Sequence, residues 1–191
     1  MQFDFLRAHE LRPDSYLLDI ACGSLRLGVQ AIPFLQPGRY LGIEKEEGLV
    51  RAGLERELAP SVQAEKRPRF VISSSFEFEQ FAQRADVAIA HSLFTHLPDS
   101  GVRSCLRRLL PWLTADGVLY ATFFQSERPV RNPSRAHDHG FFAYTVGEMV
   151  AFGEDNGYYA TYLGDWNHPR GQMMIEYRPR PERGPVGERQ P

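Results

Sequence analysis

A glycine-bearing turn between two acidic residues is the stretch of this sequence best suited to binding chemistry. Asp19 lies near the end of the apolar run Tyr16–Ile20, and the turn Ala21–Ser24 follows directly. Glu44 ends the next apolar run, about one βα unit later. A strand, a glycine-bearing turn and a helix in this order cradle nucleotides, because backbone N–H groups at the turn can hold an anion. An acid placed like Glu44 can accept both hydroxyl groups of a ribose.

The turn lacks the glycines that a pyrophosphate requires. The dinucleotide fingerprint G-x-G-x-x-G is absent, since Ala21 occupies its first glycine position and Leu25 and Arg26 stand where the phosphates would approach. An aspartate directly before the turn favours a ligand with an ammonium group. A ligand with a ribose, an amine and a carboxylate but no phosphate fits, and S-adenosylmethionine is such a ligand. A nicotinamide cofactor, and hence an oxidoreductase, is the alternative on the same type of sheet.

Three histidines are the candidate catalytic residues. His91 directly follows the apolar run Asp86–Ala90, His139 lies in the long non-periodic segment 125–143, and His168 lies between the last two apolar runs. Methyl transfer from a sulfonium is an in-line displacement, so positioning and exclusion of water supply much of the acceleration. A hydroxyl or ammonium acceptor must also lose a proton, and histidine, with a pKa near ~6.5, is the natural base. We predict His91 as the base, ahead of His139 and His168.

Alternating strands and helices must position these residues. The predicted strands are 16–20, 40–44, 69–72, 86–90, 118–124, 158–163 and 173–177. The predicted helices are 2–10, one from Ser24 that ends at Pro33, 46–58, one capped by Asp99 that ends at Pro111, and one capped by Thr145 that reaches Asn156. This alternation predicts a doubly wound parallel sheet. The connection between the last two strands is too short for a crossover helix, so those strands must pair antiparallel.

Composition predicts one soluble domain with no nucleic-acid or membrane partner. The 191 residues are 42% hydrophobic and 24% charged, with a net charge of -2 and a pI near 6.3. No apolar run approaches the ~20 residues of a membrane span. Two cysteines, Cys22 and Cys105, and the lack of a signal-peptide pattern favour a reduced, cytoplasmic protein. We assign residues 1–178 to the domain and residues 179–191, rich in Pro, Arg, Glu and Gly, to a disordered tail.

Five stretches resemble the class I S-adenosylmethionine-dependent methyltransferases. They read LLDIACGSLRLG, GRYLGIEK, ADVAIAHSLFTHL, LTADGVLYATFF and GDWNHPRGQMM, within residues 3–178. The resemblance is greatest to a bacterial subgroup with the first motif GCGSLRGG and a DW-HPRGQ hairpin. It implies an α/β fold, a doubly wound, Rossmann-like seven-stranded sheet that is mostly parallel with an antiparallel C-terminal hairpin strand. Ala21 and Leu27 depart from the subgroup where it has glycine, and alanine fits only if the turn needs no positive φ.

The resemblance also implies a cofactor site for S-adenosylmethionine. Its residues would be Asp19, Ala21, Cys22, Gly23, Ser24, Glu44, Lys45, Ser75, Phe76, His91 and Ser92. Asp19 would bind the amine and Glu44 the ribose, with Lys45 at its border. Ser75 and Phe76 would flank the adenine. The turn would face the methionine part, and His91 and Ser92 would lie beside the transferred methyl.

The acceptor is expected at the same edge of the sheet. The polar groups predicted to converge there are His91, His96, His137, Asp138, His139, Trp166, His168 and Arg170, with Arg26 as a further contributor. The segment 125–143 has the length of a lid. His137, Asp138 and His139 have the spacing of a metal site, but a solvated loop is the simpler interpretation, and we predict no metal.

The predicted activity is methyl transfer to an oxygen or nitrogen of a small molecule, such as a sugar or natural product. One alternative is a non-catalytic methyltransferase-like module that acts as a partner or regulatory subunit. Another is an enzyme, such as a cyclase, that uses the same cofactor for a different reaction. A second copy of the chain, or another partner, that covers the open site is a further expectation.

Overall fold

The computed structural model describes residues 1–137 and 141–181. Its strands are β1 Leu17–Ile20, β2 Tyr40–Glu44, β3 Arg69–Ile72, β4 Ala85–Ala90, β5 Leu113–Gln125, β6 Ala143–Tyr144, β7 Tyr158–Asp165 and β8 Gln172–Pro179. Its α-helices are α1 Gln2–His9, α2 Gly28–Phe34, α3 Glu47–Glu57, α4 Pro60–Lys66, α5 Asp99–Leu109 and α6 Val146–Glu154. His139, Asp138 and residues 182–191 of the predicted tail lie outside the described residues.

One sheet carries all of these strands, in the order β3-β2-β1-β4-β5-β8-β7, with β6 paired to the end of β5. β1 to β5 pair in parallel, whereas β8 is antiparallel to both β5 and β7. The predicted doubly wound sheet with an antiparallel C-terminal hairpin is therefore confirmed. The additional strand β6 arises because Ala143 returns to pair with Phe124, within the segment predicted as a loop. The strand order reverses between β1 and β4, the point where such sheets bind ligands.

The helix predicted from Ser24 begins four residues later, at Gly28. Leu25 has a φ of 66°, in the left-handed region, and no α-helix can pass through a residue with that conformation. Turns therefore occupy positions 23–27 before α2 starts. Pro33 lies inside the last turn of α2, which ends at Phe34.

The predicted caps of the later helices differ in outcome. Pro98, not Asp99, caps α5, and the Asp99 carboxylate accepts the Ser100 N–H at 2.6 Å instead. Thr145 caps α6 as predicted, since its hydroxyl accepts the Glu148 N–H at 3.1 Å. The Glu148 carboxylate accepts the Thr145 N–H at 2.8 Å, which completes a capping box.

The core lies on both faces of the sheet. Neighbouring residues of one strand alternate between two apolar clusters, so that Leu17 belongs to one and Leu18 to the other. α5 and α6 cover the first face, and α1 and α2 cover the second. Burial on both faces explains why the parallel strands read as continuous apolar runs. Within 1–137 and 141–181, no helix is both long and apolar enough to cross a membrane.

Candidate functional site

The turn after β1 is held against the end of β2. The Ala21 and Cys22 N–H groups both donate to the Ile43 carbonyl, at 2.8 and 3.2 Å. The Gly23 N–H donates to Glu44 Oε2 at 2.9 Å. Glu44 is only 6% exposed, and its bond to Gly23 links the end of β2 to the turn that follows β1.

The backbone of this region is strained at several strand ends. Ala21 has a φ of 62°, so the turn does require the left-handed conformation that alanine was expected to avoid. Phe76 and Ser92, which follow β3 and β4, are also left-handed, with φ values of 58° and 57°. A non-glycine residue in this conformation costs about 1–3 kcal/mol, and such residues concentrate at functional sites. Three of these strained residues lie at the carboxyl edge of the sheet, which is the candidate site.

Asp19 is the buried acid of the site. Its side chain is 4% exposed and accepts a hydrogen bond from Tyr40 Oη at 2.7 Å. Burial raises the pKa of Asp19 to about 7; the Glu44 carboxylate also raises it, and the Tyr40 hydrogen bond opposes the rise. A cation beside Asp19 would stabilise its carboxylate form.

An apolar cavity of about 300 Å³, here the first cavity, opens beyond the ends of β1, β2 and β3. Its lining residues are Ile20, Ala21, Ile43, Glu44, Lys45, Ser73, Ser74, Phe76, Leu93, His96, Leu97, Ala136 and His137. Phe76 lines this cavity as the sequence predicted. Ser75 does not: it is exposed, and its N–H donates to Ser73 Oγ at 3.1 Å, so that Ser73 and Ser74 face the cavity in its place.

A more polar cavity of about 280 Å³, the second cavity, lies on the other side of the turn. Its lining residues are Gln2, Asp19, Ala21, Cys22, Gly23, Ser24, Arg26, Leu49, His91, Ser92 and Arg170. Ala21 lines both cavities, so the two meet at the strained turn. Every residue predicted for the methionine part and the transferred methyl lines the second cavity.

The polar groups predicted to converge at the acceptor do not share one cavity: Arg26, His91 and Arg170 line the second, and Trp166 and His168 line neither. The His91 ring lies 5.2 Å from the His168 ring and 5.7 Å from the Trp166 ring, between ring centroids. His96 and His137 instead line the first cavity. The prediction of a single cluster is therefore wrong for these two histidines.

Backbone hydrogen bonds explain this division. The His137 N–H donates to the His96 carbonyl at 3.2 Å, and the Phe142 N–H donates to the Thr95 carbonyl at 3.1 Å. These bonds tie both flanks of the long loop to the segment that follows β4. Ala136 and His137 therefore line the first cavity, and none of the described residues of the loop lines the second.

His91 and His168 differ in what their nitrogens contact. Burial lowers the pKa of His91 to about 4, with smaller contributions from His168 and Arg26. His91 Nε2 is buried without a hydrogen-bond partner among the described residues, and its Nδ1 lies 3.4 Å from Ser92 Oγ. His168 Nδ1 accepts the Arg170 and Gln172 N–H groups at 3.2 and 3.4 Å. These two bonds occupy the acceptor nitrogen of the neutral His168 ring, so its direct role is to shape the turn between β7 and β8.

Three polar residues at the site were not predicted from the sequence. Gln2 of α1 lines the second cavity, and Thr122 and Gln172 are fully buried behind Ser92. Thr122 interrupts the otherwise apolar run 118–124, so the sequence did contain a signal for this residue. Gln2 had no signal, because its position depends on how α1 packs: Phe5 contacts Trp166 and Tyr120, at 5.6 and 5.1 Å between ring centroids.

No family model and no curated protein matches this sequence. Solved structures nevertheless share its fold. The magnesium protoporphyrin IX methyltransferase of Synechocystis PCC 6803, solved with bound S-adenosylmethionine, is 18% identical, with a TM-score of 0.64 over 93% of this chain and 76% of that one. A TehB-like S-adenosylmethionine-dependent methyltransferase of Corynebacterium glutamicum is 16% identical, with a TM-score of 0.65 over 94% and 87%. The YcgJ protein of Bacillus subtilis is 15% identical, with a TM-score of 0.71 over 93% and 97%. This chain therefore has the Rossmann-like fold of S-adenosylmethionine-dependent methyltransferases.

Proposed function

We propose that this protein is an S-adenosylmethionine-dependent methyltransferase that methylates a small molecule at oxygen or nitrogen. The observation that carries the proposal is the apolar first cavity joined to the polar second cavity at Ala21. S-adenosylmethionine has the matching division, with an apolar base at one end and an ammonium and a carboxylate at the other. The fold shared with the methyltransferases supports this assignment.

We assign the adenosine part to the first cavity. Phe76, Ile20 and Ile43 offer apolar surface to the base. Glu44 already accepts three backbone N–H groups, from Gly23, Lys45 and Glu46, at 2.9, 2.9 and 3.1 Å. Because an ionised carboxylate has about four acceptor sites, one remains for a ribose hydroxyl. The residues present therefore fit this half of the cofactor.

We assign the methionine part to the second cavity. Asp19 would pair with the ammonium group, which would favour the carboxylate form of its side chain. Arg26 follows the turn, lines the same cavity and forms no ion pair with any residue in the described ranges, so we assign it to the cofactor carboxylate. Both assignments place opposite charges together in a site that is partly shielded from water.

His91 is the proposed base. Bound S-adenosylmethionine would supply an activated methyl group on a sulfonium, which the acceptor would take as the sulfur leaves. The acceptor proton passes to His91 Nε2, which has no partner in the described ranges and is buried in the free protein, so ligand binding must open it to the acceptor. The lowered pKa of His91 keeps the ring neutral at physiological pH, and it also makes the free ring a weaker base than an ordinary histidine.

The dimensions and charge of the second cavity support a small acceptor. Its volume of about 280 Å³ must hold both the methionine part and the reacting group. Arg170 lines this cavity and can contact the rest of the acceptor. The two free thiols, Cys22 and Cys105, are buried and fit the reducing cytoplasm that we propose as the location.

Calorimetric titration with S-adenosylhomocysteine, S-adenosylmethionine and NAD tests the cofactor assignment directly. We expect binding of the first two and none of NAD. Glu44→Gln should weaken S-adenosylhomocysteine binding about ten- to a hundredfold, the range for a lost hydrogen bond to a charged group. Glu46→Gln removes the same charge from an exposed neighbour outside the cavity and is the matched control.

Two results would overturn the proposal. The first is no heat of binding for either sulfur ligand at about 1 mM, the weak end of specific affinities. The second is equal affinity in wild type, Glu44→Gln and Glu46→Gln, which would remove Glu44 from the ribose site. Thermal unfolding of each variant separates a lost contact from a lost fold.

A further inference from the structure

A buried hydrogen-bond network lies directly behind His91. The Ser92 N–H donates to Thr122 Oγ1 at 2.7 Å, and the Thr122 hydroxyl donates to Gln172 Oε1 at 2.6 Å. The Ser92 hydroxyl donates to the same Gln172 Oε1 at 3.1 Å. Ser92 Oγ also lies 3.4 Å from His91 Nδ1. The network thus joins the ends of β4, β5 and β8 to the proposed base.

The number of hydrogens available in this network determines which ring nitrogen of His91 carries its hydrogen. A hydroxyl group has one hydrogen to donate. The single Ser92 hydrogen goes to Gln172 Oε1, so Ser92 Oγ can act only as an acceptor toward His91. The hydrogen between them must therefore be carried by His91 Nδ1. A neutral imidazole has one N–H, so Nε2 keeps its lone pair.

We propose that Gln172 is a positioning residue, which fixes His91 through Ser92 in the tautomer with its hydrogen on Nδ1 and its lone pair on Nε2. Nε2 is the buried nitrogen that has no partner among the described residues. The use of Nε2 as a base rests on the proposed function. The tautomer itself is a property of the free protein.

Gln172 is well held for such a role. Its side chain is completely buried, its N–H donates to His168 Nδ1 at 3.4 Å, and its carbonyl accepts the Trp166 indole N–H at 3.0 Å. The HPRGQ stretch therefore places an amide behind the base, as well as a turn beside it. His168, whose Nδ1 is an acceptor, should carry its hydrogen on Nε2.

The orientation of the Gln172 side-chain amide decides which groups donate and which accept hydrogen bonds throughout the network. If the amide were reversed, Gln172 Nε2 would donate to Ser92, whose hydrogen would then turn to His91 Nδ1 and force the opposite tautomer. The observed orientation provides both hydroxyl hydrogens with an acceptor and leaves Gln172 Nε2 as the unpartnered group within the described part of the chain. The two orientations thus predict opposite tautomers for His91, which makes the inference measurable.

Nitrogen NMR of protein labelled with ¹⁵N-histidine tests the proposal in the absence of cofactor and acceptor. At neutral pH we expect His91 to show a hydrogen on Nδ1 and His168 to show one on Nε2, so the two rings serve as references for each other. The spectrum of His91→Gln assigns the His91 signals. The charged and titratable groups that face His91 are Asp19, Arg26, His168 and Arg170, and none of them is altered in this experiment.

Variants of the network supply the controls. Gln172→Glu keeps an acceptor at the same place and should keep the Nδ1–H tautomer. Gln172→Leu removes the acceptor, so the Ser92 hydrogen should turn to His91 and shift the population toward Nε2–H. Ser92→Ala removes the hydroxyl between Gln172 and His91 without altering Gln172, so it should abolish the preference for a single tautomer. This variant keeps the test decisive if Gln172→Leu does not fold.

A wild-type His91 that carries its hydrogen on Nε2 would overturn the proposal. The same holds if the tautomer stays unchanged in Ser92→Ala and in Gln172→Leu. Binding of S-adenosylhomocysteine is measured separately. A protein with the expected tautomer that fails to bind it would therefore refute the proposed function and leave the role of Gln172 standing.

Discussion

Replacing Asp19 with asparagine should stabilise the free protein at neutral and alkaline pH while weakening its binding of the cofactor. The Asp19 carboxyl is almost fully buried, and its one hydrogen bond within residues 1–137 and 141–181 comes from the Tyr40 hydroxyl at 2.7 Å. Burial, with a further contribution from Glu44, raises the pKa of Asp19 from 3.8 to about 7. Asparagine has nearly the same shape, can accept the same bond from Tyr40, and carries no charge to remove from water.

The sign of the effect follows from proton binding. The folded state holds the Asp19 proton more tightly than the unfolded state does. The stability that this provides is therefore complete below pH 3.8 and is lost as the pH rises through about 7. The asparagine side chain titrates in neither state, so the wild type should become progressively less stable than Asp19→Asn across this interval.

The magnitude follows from the size of the pKa change. Each tenfold change in proton affinity corresponds to about 1.4 kcal/mol. The interval from 3.8 to about 7 therefore corresponds to about 4 kcal/mol at full ionisation, which is the upper value for the gain in Asp19→Asn. A gain of that size is a large fraction of the roughly 5–15 kcal/mol that holds a typical domain folded.

Urea unfolding near pH 5 and near pH 8 measures this difference. With a urea slope of about 2 kcal/mol per molar, the midpoint of Asp19→Asn should lie up to about 2 M above that of wild type at the higher pH. The gap should be less than half as large at the lower pH, because near pH 5 the folded carboxyl is neutral while the unfolded one is already mostly ionised. Asp14→Asn removes an exposed acid and should show no gap at either pH. A variant that is less stable than wild type near pH 8, or a gap that does not change with pH, would refute the reasoning.

Two further predictions concern the same turn. Ala21→Gly should raise the free energy of unfolding by about 1 kcal/mol, because glycine adopts the observed φ of 62° without strain. Urea unfolding measures this change. A loss of stability would show that the alanine conformation is unstrained. S-adenosylhomocysteine should bind more tightly as the pH rises toward about 7, by up to tenfold per pH unit, because its ammonium group requires ionised Asp19. Calorimetry near pH 6 and pH 8 checks this second prediction, and Asp19→Asn should bind with no such dependence.

Asp19 and Ala21 both reduce the stability of the free fold, yet both line the cavities. A buried acid with a raised pKa and a left-handed alanine each break a local rule of stable proteins. Such violations are expected where a site must bind a ligand. The gain in stability and the loss of binding that we expect from Asp19→Asn are two consequences of the same buried charge.

Local patterns predicted the elements correctly where the cause was local. The apolar runs located β1 to β5, and Thr145 with Glu148 located the start of α6, because each pattern lies within one element. The predicted start of α2 was wrong, because Leu25 adopts a left-handed conformation that breaks the helix. The Leu25 side chain is completely buried. Helix periodicity alone cannot reveal that packing holds one residue in an unfavourable conformation.

The positions of side chains at the carboxyl edge of the sheet were harder to predict than the positions of the strands and helices. Asp19, Glu44 and Phe76 line the cavities as predicted, because their positions follow from the ends of strands. Ser75 lies outside the first cavity, since it is exposed and Ser73 and Ser74 line the cavity in its place. His137 was expected near the acceptor, but its N–H bonds to the His96 carbonyl beside the first cavity.

The sequence by itself determined the type of sheet and the antiparallel ending, and it singled out the two acids that we assign to a ribose and an amine. Those features depend on periodicity, on connection length and on residues that follow strands directly. Only the tertiary structure decided which polar groups share a cavity and which hydrogen bonds orient His91. Gln172 lies 80 positions from Ser92 along the chain, and the bond between them exists because β8 returns antiparallel beside β5. A contact between such distant residues depends on the packing of the whole sheet, which no local pattern contains.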